Sequence, residues 1–160
     1  MWCGAEAVRT LLIGYGNPGR GDDGLGPALA EAIAALGLPD LMVDIDFQLN
    51  VEDAWDLTGY DRAIFADAAV EGAEPFFWKE LEPADSAEFS SHAASPAGVL
   101  KLAKDLFNAK VRGFVIGIRG YEFDVFGAPM TPRAQDNLRQ AIAFLATTLR
   151  VGEMEPTAPA

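Results

Sequence analysis

Apolar residues in this chain fall either into short continuous runs or into runs at helical spacing. Val8 to Tyr15 is apolar nearly throughout, as expected of a strand covered on both faces. Leu25, Leu29, Ala32, Ile33 and Leu36 then recur at helical spacing, which predicts a helix from Leu25 to Leu36 stopped by Gly37 and Pro39. Leu41 to Phe47 alternates, with Leu41, Val43, Ile45 and Phe47 on one face and Asp44 and Asp46 on the other. That pattern predicts a strand near a sheet edge, exposed on one side. Asn50 is a candidate cap for a short helix over Val51 to Leu57, with Asp53 three residues on. Thr58 to Asp61 reads as a turn.

The second half repeats the pattern. Ala63 to Ala69 is a nearly continuous apolar strand interrupted by one charge, Asp67. Phe76-Phe77-Trp78 predicts a short strand, antiparallel or at an edge, with its aromatics used in packing. A polar loop from Glu82 to Ser91 leads to His92 and to Ser95-Pro96, a cap followed by a proline suited to a first helical turn. Val99, Leu100, Ala103, Leu106 and Phe107 form the apolar face of that helix, and Gly113 to Ile118 is another buried strand. Arg119 to Met130 is a loop. Thr131-Pro132 starts the last helix, striped by Leu138, Ala141, Ile142, Leu145 and Leu149.

Strands alternating with helices predict an α/β fold: a single three-layer domain over residues 8–150, with a mostly parallel, twisted sheet of about five strands and helices on both faces. Residues 1–7 and 151–160 read as flexible termini. Right-handed crossovers bring the carboxyl ends of the first and third strands to one edge. Asp22, Asp23 and Asp67 are therefore expected to meet there, with His92 reaching the same edge from its loop.

Composition narrows the partners. The 160 residues carry a formal net charge of −12, which opposes binding to nucleic acid and to anionic membranes. No apolar run approaches the roughly 18 residues of a membrane span. The first residues lack a basic region followed by an apolar one, so no secretory signal is expected. The single cysteine, Cys3, cannot form an internal disulfide, and a reducing cytoplasmic setting is expected.

The chemistry concentrates between Leu11 and Gly26, where an apolar strand enters a glycine-rich loop ending in Asp22-Asp23. Gly14-Tyr15-Gly16-Asn17-Pro18-Gly19 matches the dinucleotide-binding pattern in letters, with Asp44 or Asp46 near the spacing of a ribose acid. Against that reading, helical periodicity starts only after Asp23, and a pyrophosphate would meet two carboxylates. A structural reading has Asp22 capping the first helix and His92 lying on the surface. Asp67 has no polar company in its strand, and a lone buried carboxylate is costly unless something pairs with it.

Two families resemble this stretch. Gly16-Asn17-Pro18-Gly19 after an apolar strand is similar to the start of peptidyl-tRNA hydrolases, but the following turn lacks their histidine. The longer string Gly14-x-Gly16-Asn17 followed by Asp22-Asp23-Gly24-x-Gly26 resembles the hydrogenase maturation endopeptidases. Phe65-Ala66-Asp67-Ala68 looks like their second acidic motif and Ser91-His92 like their histidine motif, so the resemblance runs from about Leu11 to Leu149. It implies an endopeptidase that trims the C-terminal extension of a [NiFe]-hydrogenase large-subunit precursor. It also implies Asp23, Asp67 and His92 as catalytic residues and metal ligands, with Asp22 supporting them or capping. Some members carry glutamate where Asp23 stands. Such an oxygen and nitrogen donor set suits nickel, zinc or another divalent ion, and spacing does not choose among them. The family points to nickel, supplied by the substrate. Phe47-Gln48-Leu49, with Glu52 after it, resembles members serving soluble or cofactor-reducing hydrogenases. Gln48 and Arg119, in the loops after the second and last strands, are the candidates to bind the substrate's tail. The alternative within this resemblance is a metal-dependent chaperone that docks on the large subunit without cutting it.

Overall fold

The computed structural model describes residues 7–82 and 94–151. Five strands form one mixed, mostly parallel sheet: β1 (Thr10–Tyr15), β2 (Leu41–Asp46), β3 (Arg62–Ala69), β4 (Phe76–Leu81) and β5 (Arg112–Arg119), in the order β2-β1-β3-β5-β4. Among the described residues, only β4 runs antiparallel to its neighbour. The helices are α1 (Leu25–Ala34), α2 (Asp53–Asp56), α3 (Pro96–Phe107) and α4 (Pro132–Val151).

Successive strand residues point to opposite faces, so each central strand feeds two cores. Leu12, Ile64, Phe114 and Ile116 pack under α1 and α4, while Leu11, Ile13, Phe65 and Val115 pack under α2 and α3. This is the expected three-layer α/β domain. Among the described residues, no helix is long and apolar enough to cross a membrane.

The structure refines several boundaries. β2 is the expected edge strand, but its apolar face is covered only at the start: Ile45 is 41% and Phe47 69% exposed. α1 ends at Ala34, two residues earlier than periodicity suggested, and its exit turn carries Gly37 at φ 62°. β4 is six residues long rather than three, because Lys79 to Leu81 continue the pairing and Glu80 forms an ion pair with Arg112 of β5 at 2.8 Å. Its ring packing is as expected: Trp78 stacks on Phe114 at 5.2 Å and meets Phe144 of α4. Asn50 does not cap α2. Asp53 instead reaches back and accepts the Asn50 N–H at 2.8 Å, which leaves the Asn50 amide to bond the Gln48 carbonyl. The caps on α3 and α4 form as the sequence predicts, Ser95 Oγ accepting the Gly98 N–H and Thr131 Oγ1 the Ala134 N–H.

Candidate active site

The parallel register sets the site. Gly14 of β1 lies opposite Ala66 of β3, so Tyr15 and Asp67 follow just past the point where the pairing of the two strands ends. α1 sits unusually close to those ends. A Cβ on Gly26 would fall 2.5 Å from both the Tyr15 and the Ala66 carbonyl oxygens, so only glycine lets the helix approach. The loop closes just as tightly at Gly16, whose φ is 142° and where a Cβ would meet the Asp23 carbonyl oxygen at 2.1 Å.

Between Gly16 and α1 a single 3-10 turn, Gly21–Gly24, carries both carboxylates. They go opposite ways. Asp22 is fully buried at 0% exposure and does not cap the helix. It accepts the Tyr121, Glu122 and Thr131 N–H groups at 2.8, 3.1 and 2.8 Å and the Thr131 hydroxyl at 2.9 Å. Burial by itself would raise its carboxyl, but these donors outweigh burial and hold it below the usual range. Asp22 is thus a strut that ties the first loop to the loop before α4. The helix-cap expectation fails because its partners lie on a distant segment.

Asp23 is half-buried and faces the site. Its Oδ2 accepts the Asn17 N–H at 2.8 Å, while Asn17 Oδ1 accepts the Gly19 N–H at 2.9 Å. Among the described residues, the second Asp23 oxygen has no hydrogen bond. Asp67 accepts the N–H of Ala68 at 2.8 Å and the hydroxyl of Tyr15. Burial pushes its carboxyl up to about 6, the two hydrogen bonds oppose that rise, and the charge of Asp23 adds to it. Burial first, and then Asp67, push the Tyr15 hydroxyl far above its ordinary range, so it stays protonated and donates. Asp23 therefore lies near enough to Asp67 for its charge to raise that carboxyl.

Asp67 and Tyr15 border a cleft of about 430 Å³, with Phe77, Val115, Lys79 and Ser95 around it. The Phe77 ring packs against Gly117 of β5, where a Cβ would come within 2.2 Å of the ring. His92 lies outside the described residues, as does Cys3. Gln48 is exposed in the loop after β2, at the same end of the sheet. Arg119 donates to the Gly120 and Gly72 carbonyls at 3.2 and 3.0 Å, so it braces the loops after β3 and β5.

Tyr15 and Thr131 were not foreseen as site residues. Tyr15 was legible from register, since aligning the ends of β1 and β3 sets it beside Asp67. Thr131 had no local signal beyond its role as a helix cap. A separate acidic group, Asp44, Asp53 and Asp56, has ligand atoms within 4.8 Å of one another on the α2 flank.

No family model and no curated protein matches the sequence. Solved structures do match the fold. The [NiFe] hydrogenase maturation protease HycI from Thermococcus kodakarensis KOD1 superposes with a TM-score of 0.68 at 20% identity, over 89% of this chain and 93% of that one. Endopeptidase HycI from Escherichia coli gives 0.68 at 24% identity, over 95% and 97%. The hydrogenase maturating endopeptidase HybD from Escherichia coli gives 0.66 at 24%, over 94% and 97%. The expected resemblance is met at the level of architecture: this chain has the fold of the solved hydrogenase maturation proteases.

Proposed function

We propose that the protein is a metal-dependent endopeptidase that removes the C-terminal extension of a [NiFe]-hydrogenase large-subunit precursor after nickel has been inserted. The observation that carries the reading is the approach of Asp23, on the turn after β1, to Asp67 of β3, which borders a cleft large enough for a peptide segment. The names of the solved neighbours point to the same class of substrate.

The carboxylates suit a cation. The charge of Asp23 raises the Asp67 carboxyl, both acids are partly buried, and no salt bridge to either forms among the described residues. A divalent ion would relieve both. Asp23 and Asp67 would hold it, with His92 as third ligand on the strength of its sequence motif alone. We take the ion to be nickel already seated in the substrate, with zinc or another divalent ion as the alternative. When bound, it would polarise the scissile carbonyl.

The chain's own residues do the positioning. The Tyr15 hydroxyl and the Ala68 N–H orient Asp67, and the Asn17 N–H orients Asp23. Asp22 anchors the turn that carries Asp23. Gln48 and Arg119 flank the substrate's path. A cytoplasmic location belongs to the same proposal.

The test mixes metal-stripped protein with nickel-loaded and nickel-free precursor under reducing conditions, followed by size on a gel. Cutting of the loaded form only is expected. Asp23→Ala and His92→Ala should abolish it with circular dichroism unchanged. Efficient cutting of nickel-free precursor with no metal present overturns the role given to the ion. A precursor that binds but is never cut in either form favours the chaperone instead.

A further inference from the structure

The flank built from α2 and α3 carries a second surface, separate from the cleft at Asp67. Trp55 and Leu106 are 62% and 65% exposed there, with Val51 and Phe107 open beside them. The Trp55 and Phe107 rings meet edge to face at 5.1 Å and brace each other. These side chains line a hollow of about 650 Å³. Trp55 also borders a neighbouring hollow of about 440 Å³, shared with Met42 and Tyr60. Contiguous exposed apolar surface of this kind marks an interaction site, and exposed tryptophan is a favoured anchor.

Charge selects the occupant. Asp56 lines both hollows, and its carboxylate lies with those of Asp44 and Asp53 inside 4.8 Å. Neither hollow is lined by a lysine or an arginine, and none of the three acids forms an ion pair among the described residues. Burial, and after it the neighbouring carboxylates, push the Asp53 and Asp56 carboxyls up, although Asp53 accepts the Asn50 N–H. Uncompensated negative charge beside apolar anchors complements a partner that brings both apolar side chains and cations.

We propose that this flank docks a basic amphipathic peptide segment, its apolar side chains covering Trp55 and Leu106 and its Lys or Arg side chains reaching Asp44 and Asp56. A second copy of this chain fits poorly, because a two-fold contact would set the same acids against each other on molecules of net charge −12. Residues 152–160 fit no better, since they contain two glutamates and no basic residue. Nucleic acid and anionic lipid are repelled by the same charge. The proposal does not depend on the peptidase reading.

The experiment titrates full-length protein into a fluorescein-labelled leucine–lysine amphipathic peptide and follows anisotropy. A leucine–glutamate peptide of the same pattern is the control. The lysine peptide should bind and the glutamate peptide should not. Trp55→Ala, Leu106→Ser and the pair Asp44→Asn/Asp56→Asn should each weaken binding at least about tenfold. The pair Glu122→Gln/Asp124→Asn, elsewhere on the surface, should leave it unchanged. Thermal melts confirm that each variant is folded, and the exposed Leu106 serves where Trp55→Ala melts early. Equal weakening by both acidic pairs, with no effect at Trp55 or Leu106, reduces the binding to bulk charge and overturns the proposal. Self-association in sedimentation that Trp55→Ala abolishes assigns the face to a second copy and overturns it too.

Discussion

Asp22 grips Thr131 with both carboxylate oxygens, one on its N–H at 2.8 Å and one on its hydroxyl at 2.9 Å, across 109 positions of sequence. Because Thr131 also caps α4, one residue fixes both the turn that carries Asp23 and the start of the last helix. Asp22→Ala should cost about 3 kcal/mol or more, since it strands several buried donors at once. The Asp22 carboxyl is held below its ordinary 3.8 in the folded protein. Its contribution is therefore present above that value and lost as pH falls through the folded one. Urea denaturation at neutral and at acid pH checks this: the gap between wild type and variant should shrink below about pH 4.

Asp67 has the opposite sign. Its folded value of about 6 lies above the ordinary 3.8, so the fold prefers the protonated acid. That contribution is complete below the unfolded value and is lost as pH rises through about 6. Asp67→Asn should then stabilise the metal-free protein by about 1–2 kcal/mol at pH 8, after allowance for partial exposure, and by little at pH 4. The same variant should lose cleavage entirely. A variant less stable than wild type at pH 8 would contradict the assignment.

Tyr15→Phe tests the orienting hydroxyl. Without that donor, the Asp67 carboxyl should titrate above its present value of about 6. The acid limb of the cleavage profile should move up with it. Carbon NMR of the Asp67 side chain measures the titration directly, and an unmoved value removes Tyr15 from the site.

Gly26→Ala should be among the most damaging single methyl additions in the chain. Its Cβ would sit 2.5 Å from two backbone oxygens, so α1 must lift from β1 and β3. We expect a loss of about 3 kcal/mol and a misplaced Asp23. Gly59→Ala is the matched control, with nothing within 4 Å of the added methyl, and should change stability by less than about 0.5 kcal/mol. Denaturation midpoints of the two variants give the comparison.

Local pattern carried much of this fold. Continuous apolar runs such as Ala63–Ala69 identify the central strands, and Ser95-Pro96 and Thr131-Pro132 identify helix starts, because each signal lies within a few residues of its effect. Crossover handedness was enough to bring Asp23 toward Asp67. Pairings with no local trace were lost. Asp22 looked like a helix cap because its true donors lie on a segment that only the folded sheet brings near. Of the expected Asn50–Asp53 box only half forms: Asp53 accepts the Asn50 N–H, while the Asn50 amide turns to the Gln48 carbonyl. The exposure of Ile45 and Phe47 depended on how far α1 and α2 extend over an edge strand, which alternation does not encode.

The placement of β4 has a consequence for how the chain is made. On the ribosome, synthesis reaches Phe76, Phe77 and Trp78 well before Arg112–Arg119, yet among the described residues β5 is the only strand that pairs with β4. At some 5–20 residues per second, an aromatic strand waits a few seconds with its backbone unpaired and its rings uncovered. α4, which supplies Phe144 to cover Trp78, arrives later still. The nascent protein is thus most vulnerable to aggregation in this interval, and the segment around Trp78 is where a holding chaperone would bind.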